Sequence, residues 1–191
     1  MRFILLALCL CICITNGHAQ AKNAEASVPQ PQYLNNVYLL KQDSLALLER
    51  IQAEMKNKMK ALGFGGSETA YVMDGGRSSF RIRSTDNMKF VVKMNSSMMD
   101  PTAMIKLYRF ESGKSEREAV LGGGGGMFNK KKNVGSDVEV LCNIQKSGTD
   151  LFIISPATKL GAGEYGFMNM MMMTANGSKP RYTFFAFGVD E

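Results

Sequence analysis

The sequence predicts an all-β or mainly β protein, built as an antiparallel immunoglobulin-like β-sandwich. Two observations support this class. From Gly63 onward, short segments in which apolar and polar residues alternate are separated by glycine-rich turns. No long helical segments lie between these strand candidates, so the pattern differs from that of a parallel α/β sheet.

The first nineteen residues predict a signal peptide. Met1-Arg2 begins a basic segment, Ile4 to Ile14 is an apolar run, and Gly17-His18-Ala19 supplies the small residues of a cleavage site. We therefore expect an exported protein, either periplasmic or extracellular, that begins near Gln20. Cleavage would remove the only histidine and three of the four cysteines and leave Cys142. The rest of the chain contains no apolar run long enough for a transmembrane span.

The segment after the leader has two parts. Residues 20 to 32 are small and polar and contain two prolines, which predicts a flexible linker. Residues 33 to 63 form an N-terminal hairpin or a helical appendage. Apolar residues at helical spacing favour a helix over residues 44 to 62, namely Leu48, Ile51, Met55, Met59 and Leu62. The alternative is a hairpin with strands over Val37 to Leu40 and Leu45 to Leu48, around Gln42-Asp43-Ser44.

Residues 64 to 191 form the predicted β-sandwich domain. Asp74-Gly75-Gly76 is a tight-turn signal between its first two strands. Strands are predicted over Thr69 to Met73, Phe80 to Arg83, Lys89 to Met94, Met104 to Phe110, Val138 to Ile144, Leu151 to Ser155, Glu164 to Met168 and Tyr182 to Phe187.

The segment Gly161 to Phe167 has the spacing of a tyrosine corner. In that motif a tyrosine at the start of a late strand bonds the backbone of the preceding bend. Tyr165 holds the tyrosine position, whereas Gly161 stands where immunoglobulin domains usually have an acidic residue. The alternative is a strand that is entered through a glycine turn.

Three short segments resemble uncharacterised secreted β-sandwich proteins of Bacteroidota. These segments are Leu160 to Phe167, Phe187-Gly188-Val189-Asp190 and Ala61-Leu62-Gly63-Phe64-Gly65-Gly66. The resemblance implies a fold and an exported location, and it carries over no catalytic residue. It also favours the hairpin over residues 33 to 50, because similar chains have a strand pair there.

Two features suggest a surface that binds anions, and each has a simpler explanation. Lys130-Lys131-Lys132 adjoins the glycine run Gly122 to Gly126, and Arg81 and Arg83 lie on one face of a strand. The simpler explanation is that these cations are solvated. The glycine run lacks the following lysine and hydroxyl residue of a phosphate loop, so it predicts a mobile loop. The formal net charge of +6 is too mild for a nucleic-acid binder.

The methionine run Met168, Met170, Met171, Met172 and Met173 is the strongest indication of specific chemistry. Thioethers are soft ligands that favour Cu(I), and Met127 would add a ligand if the glycine loop folded across. The alternative is that these side chains fill a core, since consecutive strand residues point to opposite faces.

These residue types argue against most enzyme classes. Without imidazole, a hydrolase would need a carboxylate pair or a lysine-activated serine, and neither has a recognisable pattern here. Cys142 alternates with Val138, Val140 and Ile144, which predicts an inert core thiol. We therefore predict no catalytic, cofactor-binding or metal-binding residue. The expected function is recognition or scaffolding at the cell envelope with an envelope protein or anionic glycan as partner. The alternatives are a periplasmic protein that binds copper(I) through methionine thioethers and a module that binds an anionic glycan or lipid headgroup.

Overall fold

The computed structural model describes residues 28–59, 66–84, 88–95, 100–125, 138–177 and 179–191. The predicted signal peptide, most of the predicted linker, Met127, and Lys130-Lys131-Lys132 lie outside the described residues. None of the described helices is long and apolar enough to cross a membrane.

The described chain is mainly β, and its strands pair antiparallel with one exception, so the predicted class is confirmed. The helical elements are α1 (Pro101–Met104) and one 3₁₀ turn (Met170–Met172). The strands are β1 (Val37–Lys41), β2 (Ser44–Leu47), β3 (Glu49–Met59), β4 (Gly66–Asp74), β5 (Arg81–Arg83), β6 (Phe90–Lys93), β7 (Ile105–Ser112), β8 (Glu116–Gly125), β9 (Glu139–Val140), β10 (Cys142–Lys146), β11 (Leu151–Pro156), β12 (Gly163–Asn169), β13 (Thr174–Asn176) and β14 (Lys179–Asp190).

The strands form two sheets. One has five strands in the order β10-β11-β6-β1-β2. In the other, the path β12-β14-β3-β4-β8-β7 returns to its start because β7 also pairs with β12, which closes a six-stranded barrel. Strands β5, β9 and β13 pair at the margins of this barrel, and β5 runs parallel to β14. The closed barrel was not expected from the sequence. The immunoglobulin-like sandwich stays a prediction.

Alternation along the barrel strands creates two cores. On β14, Phe185 and Phe187 point outward to the intersheet core, where Phe187 contacts Phe90 of the five-stranded sheet. Phe184 and Ala186 point inward and belong to the barrel core. The barrel core also contains Ala53, Tyr71, Met73, Tyr108, Phe110, Ala119 and Met168. Successive residues of a barrel strand therefore point alternately into the intersheet core and the barrel core.

Residues 44 to 59 are strands, so the structure decides between the two interpretations of this segment. Hairpin β1–β2 turns at Gln42 and Asp43, as the hairpin alternative predicted, and β3 follows as a barrel strand. The helix interpretation is wrong for these residues. Ile51, Met55 and Met59, which fit helical spacing, are also alternate residues of β3, and Ile51 packs with Ala53 against the barrel core.

The glycine run is part of strand β8, which corrects the predicted mobile loop for Gly122 to Gly125. Gly122 pairs with Thr69, and Gly123 pairs with Glu68. The register shifts between Thr69 and Ala70, and Leu121 is the extra residue of this β-bulge. Main-chain pairing to β4 offsets the conformational entropy that the glycines lose. Gly126 lies outside the described residues.

The tyrosine corner is present as predicted. The Tyr165 hydroxyl donates a hydrogen bond to the carbonyl oxygen of Gly161 at 3.0 Å. Its ring is buried and stacks on Phe187 in the intersheet core, with ring centroids 5.6 Å apart. The bond thus fixes the bend before β12 to a core side chain.

Candidate functional site

A cluster of charged side chains lies at one end of the barrel, and Arg117 is its most buried member. The side chain of Arg117 is 1% exposed and follows the inward alternation of β8 with Ala119. Its Nε atom donates to the carbonyl oxygen of Gly75 at 2.9 Å. Its Nη1 atom lies 3.6 Å from a carboxylate oxygen of Glu49 and equally far from one of Glu164.

Two carboxylates connect this arginine to the segment that follows β4. Glu164 is 3% exposed and accepts a hydrogen bond from the backbone nitrogen of Ser78 at 2.7 Å. Glu49 accepts from the hydroxyl of Ser78 and from the backbone nitrogen of Ser79. The segment after β4 is therefore bound to the barrel by buried charged groups. We call Glu49, Arg81, Arg117, Glu164 and Asp190 the charge cluster.

Arg81 belongs to the charge cluster rather than to a free cationic surface. It forms ion pairs with Glu164 and with Asp190. The hydrogen bond to Asp190, with the nearby charges, holds the pKa of Arg81 above its ordinary value despite partial burial. The same bond lowers the pKa of Asp190. For Arg81 and Arg83 the sequence left open an anion-binding face or solvated side chains. Arg83 is exposed, whereas Arg81 is paired with two carboxylates of the protein.

The geometry of the charge cluster suits a structural role. Charged groups that are buried in an ion pair lose their hydrogen bonds to water, and other polar groups must replace those bonds. In the charge cluster, main-chain donors and acceptors replace many of them. In the described part of the chain, Arg117 Nη1 lacks a hydrogen-bond partner. The described residues also contain no group of three or more His, Cys, Asp and Glu side chains that could hold a metal ion.

The methionine run divides between two cores and the surface. Met168 is buried in the barrel core, and Met172 packs against the intersheet core. The remaining three are exposed: Met170, Met171 and Met173 are 41%, 44% and 52% accessible. Met168 and Met172 therefore fill cores, and only the three exposed methionines are accessible as soft ligands.

Cys142 lies on β10 and packs against the intersheet core beside Val140 and Ile144. It is half-buried rather than fully buried. Burial, reinforced by the negative charge of Glu139, raises the pKa of its thiol to about 12. A thiol with this pKa is protonated at neutral pH and is a poor nucleophile.

Strand β2 ends the five-stranded sheet and adjoins exposed apolar residues. Leu47 on β2 is 42% accessible and lies opposite Tyr38 of β1. The Tyr38 hydroxyl accepts a hydrogen bond from the backbone nitrogen of Tyr33 at 3.2 Å. Tyr33 and Leu34 are each 54% accessible. We call β2 together with Tyr33, Leu34 and Leu47 the edge patch.

Comparison with protein-family profiles, with curated proteins and with solved structures found no match to this chain.

Sequence reasoning did not anticipate the charge cluster or the edge patch. Glu49, Arg117 and Glu164 lie far apart in the sequence, on β3, β8 and β12. Each occupies an inward position on its strand. The sequence signal for such a cluster is a charged residue among alternate strand positions that are otherwise apolar. This signal shows which residues meet only when the pairing register of the strands is known.

Proposed function

We propose that the chain is a non-catalytic exported protein that acts in recognition or scaffolding at the cell envelope, and that it binds its partner through the edge patch. The observation that carries this proposal is the position of exposed Leu47 on a terminal strand, opposite Tyr38, whose hydroxyl accepts a hydrogen bond from the backbone of exposed Tyr33. Contiguous exposed apolar residues are typical of interaction surfaces.

The edge patch suits an extended peptide segment of a protein partner. Among the described strands, β2 pairs with β1 alone, so its outer side presents main-chain donors and acceptors. A partner strand would bind these groups, and apolar side chains on alternate positions would pack on Leu47 and Tyr33. This mode gives affinity through the main chain and specificity through the side chains.

An anionic glycan or lipid headgroup is a less supported ligand. Of the cations proposed for it, Arg81 is engaged with Glu164 and Asp190. Binding by that route would depend steeply on salt, whereas a packed apolar interface would persist at high salt.

The immunoglobulin-like prediction is part of the same proposal. Two features support it: the five-stranded sheet faces one wall of the barrel across the intersheet core, and Tyr165 bonds Gly161. Folds of this kind host many functions, so the assignment of a role rests on the edge patch.

Affinity capture from an envelope extract tests the proposal, with elution by rising salt. We expect a defined protein to be retained at high salt by the unchanged chain and by Leu141→Lys. Leu141 is a matched control because it is exposed, at 74%, and adjoins β10 at the other end of the same sheet. Leu47→Lys should lose that protein, since a charge on a terminal strand opposes strand addition. Equal retention by both variants would reject the edge patch.

Export is tested separately by amino-terminal sequencing of the secreted form. We expect it to begin near Gln20. A secreted form that begins elsewhere, or a chain that stays inside the cell, would contradict the predicted signal peptide.

A further inference from the structure

We propose that the 3₁₀ turn at Met170–Met172 carries a soft-metal site, in which the thioethers of Met170 and Met173 bind one Cu(I) ion. This site goes beyond the recognition function and does not use the edge patch. It also excludes Met168 and Met172, which the methionine run alone did not separate from the others.

The geometry of the turn brings two exposed methionines to the same side. In a 3₁₀ helix, residues i and i+3 eclipse, and a rise of about 2.0 Å per residue separates them by about 6 Å along the axis. The backbone nitrogen of Met173 donates to the carbonyl oxygen of Met170, which closes the turn. The long, unbranched side chains of Met170 and Met173 can therefore direct both sulfur atoms at one ion.

The turn is fixed at both ends. The buried side chain of Asn169 accepts a hydrogen bond from the backbone nitrogen of Met171 at 3.0 Å and donates to the carbonyl oxygen of Asn35 at 2.8 Å. The hydroxyl of buried Thr183 donates to the carbonyl oxygen of Met172 at 2.9 Å. A ligand pair on a turn held in this way has less conformational entropy to lose when it binds an ion.

The donor set selects the metal. Thioether sulfur is a soft, neutral ligand that suits Cu(I), whereas Zn²⁺ takes thiolate, imidazole and carboxylate ligands and Ca²⁺ and Mg²⁺ take oxygen ligands. Cys142 is the only cysteine among the described residues, and its thiol packs against the intersheet core on β10, so it does not compete from the turn. The charge of Arg181, which lies opposite Thr174 after the turn, is paired with Glu54 at 2.7 Å.

Competition for Cu(I) with a chromogenic chelator under reducing, anaerobic conditions tests the site with the purified protein. We expect one ion to bind with a dissociation constant of about 1 μM or tighter, which corresponds to about −8 kcal/mol. The double variant Met170→Leu/Met173→Leu should weaken binding by more than about tenfold, because even supporting residues of metal sites contribute that much.

Met55→Leu/Met59→Leu is the matched control. Both residues are exposed methionines on β3, at 41% and 79%, and they lie outside the turn. This control should bind Cu(I) as tightly as the unchanged chain. Equal loss in the two double variants, or a dissociation constant weaker than about 1 μM in the unchanged chain, would overturn the site.

A site-resolved measurement excludes binding by Cys9, Cys11, Cys13 or His18 if the leader is retained. Ag(I), a soft ion without redox chemistry, is added to protein that carries ¹³C-methyl methionine. The methyl signals of Met170 and Met173 should shift, and those of Met55 and Met168 should stay. Unchanged Met170 and Met173 signals when Ag(I) is in excess over the four cysteines of the full chain would also reject the proposal.

Discussion

Arg81 lies directly over Gly188, and its guanidinium group fills the space that a β-carbon on Gly188 would need. The two residues are opposite each other where β5 runs parallel to β14. The backbone nitrogen of Gly188 donates to the carbonyl oxygen of Phe80 at 2.8 Å, which keeps the strands close. The absence of a side chain at Gly188 thus lets Arg81 cross β14 to reach Glu164 on β12, while it also pairs with Asp190 at the end of β14.

Gly188→Ala should therefore lower the free energy of unfolding. The added methyl group displaces the Arg81 guanidinium from both of its carboxylates, and we expect a loss of about 1–3 kcal/mol. Urea denaturation measures it. Gly161→Ala is the control, because a β-carbon there meets open space. If the two variants are equally stable, the close contact between Arg81 and Gly188 does not constrain the fold.

Arg117 and Glu164 should be energetically coupled. Removing one member of this buried ion pair leaves the other with a single charged partner, Arg81 for Glu164 and Glu49 for Arg117, so Arg117→Met and Glu164→Gln should each cost about 1–3 kcal/mol. The double variant should be more stable than the sum of the two losses predicts, by about 0.5–3 kcal/mol. A double-mutant cycle in urea measures this difference. Strictly additive losses would mean that the 3.6 Å separation carries no interaction.

Stability should fall in acid through Asp190. Hydrogen bonds from Arg81 lower the pKa of Asp190 in the folded protein, so the unfolded chain binds a proton at higher pH than the folded one. The stabilisation is complete above the pKa of the unfolded chain and is lost as the pH falls through the folded pKa.

Asp190→Asn should therefore flatten the acid limb of a plot of unfolding free energy against pH. The limb for Asp43→Asn, which changes an exposed carboxylate in the β1–β2 turn, should stay steep. An acid limb that is equally steep in all three proteins would contradict the role of Asp190.

Cys142 should resist alkylation while the chain is folded. Because burial raises the pKa of its thiol to about 12, the reactive thiolate is scarce at pH values near 8. We expect iodoacetamide to label Cys142 at least about tenfold faster in denaturing urea than in buffer. Mass spectrometry of the peptide that contains Cys142 gives both rates. Similar rates would show that the thiol is already accessible in the folded state.

Strand positions were readable from the sequence because alternation is a local property. β4, β6, β11 and β12 lie within a few residues of their predicted bounds. Pairing between strands is not local, and barrel closure through β7 and β12 depends on it. The strand over Gly122 to Gly125 was missed because nothing in these residues favours an extended chain. Pairing with β4, which is distant in sequence, keeps them extended.

The chemical roles of side chains were less predictable than the strands. Arg81 and Arg83 have the same residue type and share a predicted face, yet Arg81 has two carboxylate partners and Arg83 is exposed. The five methionines likewise divide only when the turn after Asn169 is known. The sequence showed which guanidinium and thioether groups were available. Their contacts in the folded chain determine what each group does.

Barrel closure also sets an order of events during synthesis. β3 pairs with β14 over Glu49 to Glu54, so this edge of β3 stays unpaired until most of the chain has been made. Contacts between such distant segments form slowly, and an unpaired strand edge invites association with other chains. We therefore expect the edge of β3 to be open to association with other chains until β14 has been made, and a chaperone that covers this edge to raise the yield.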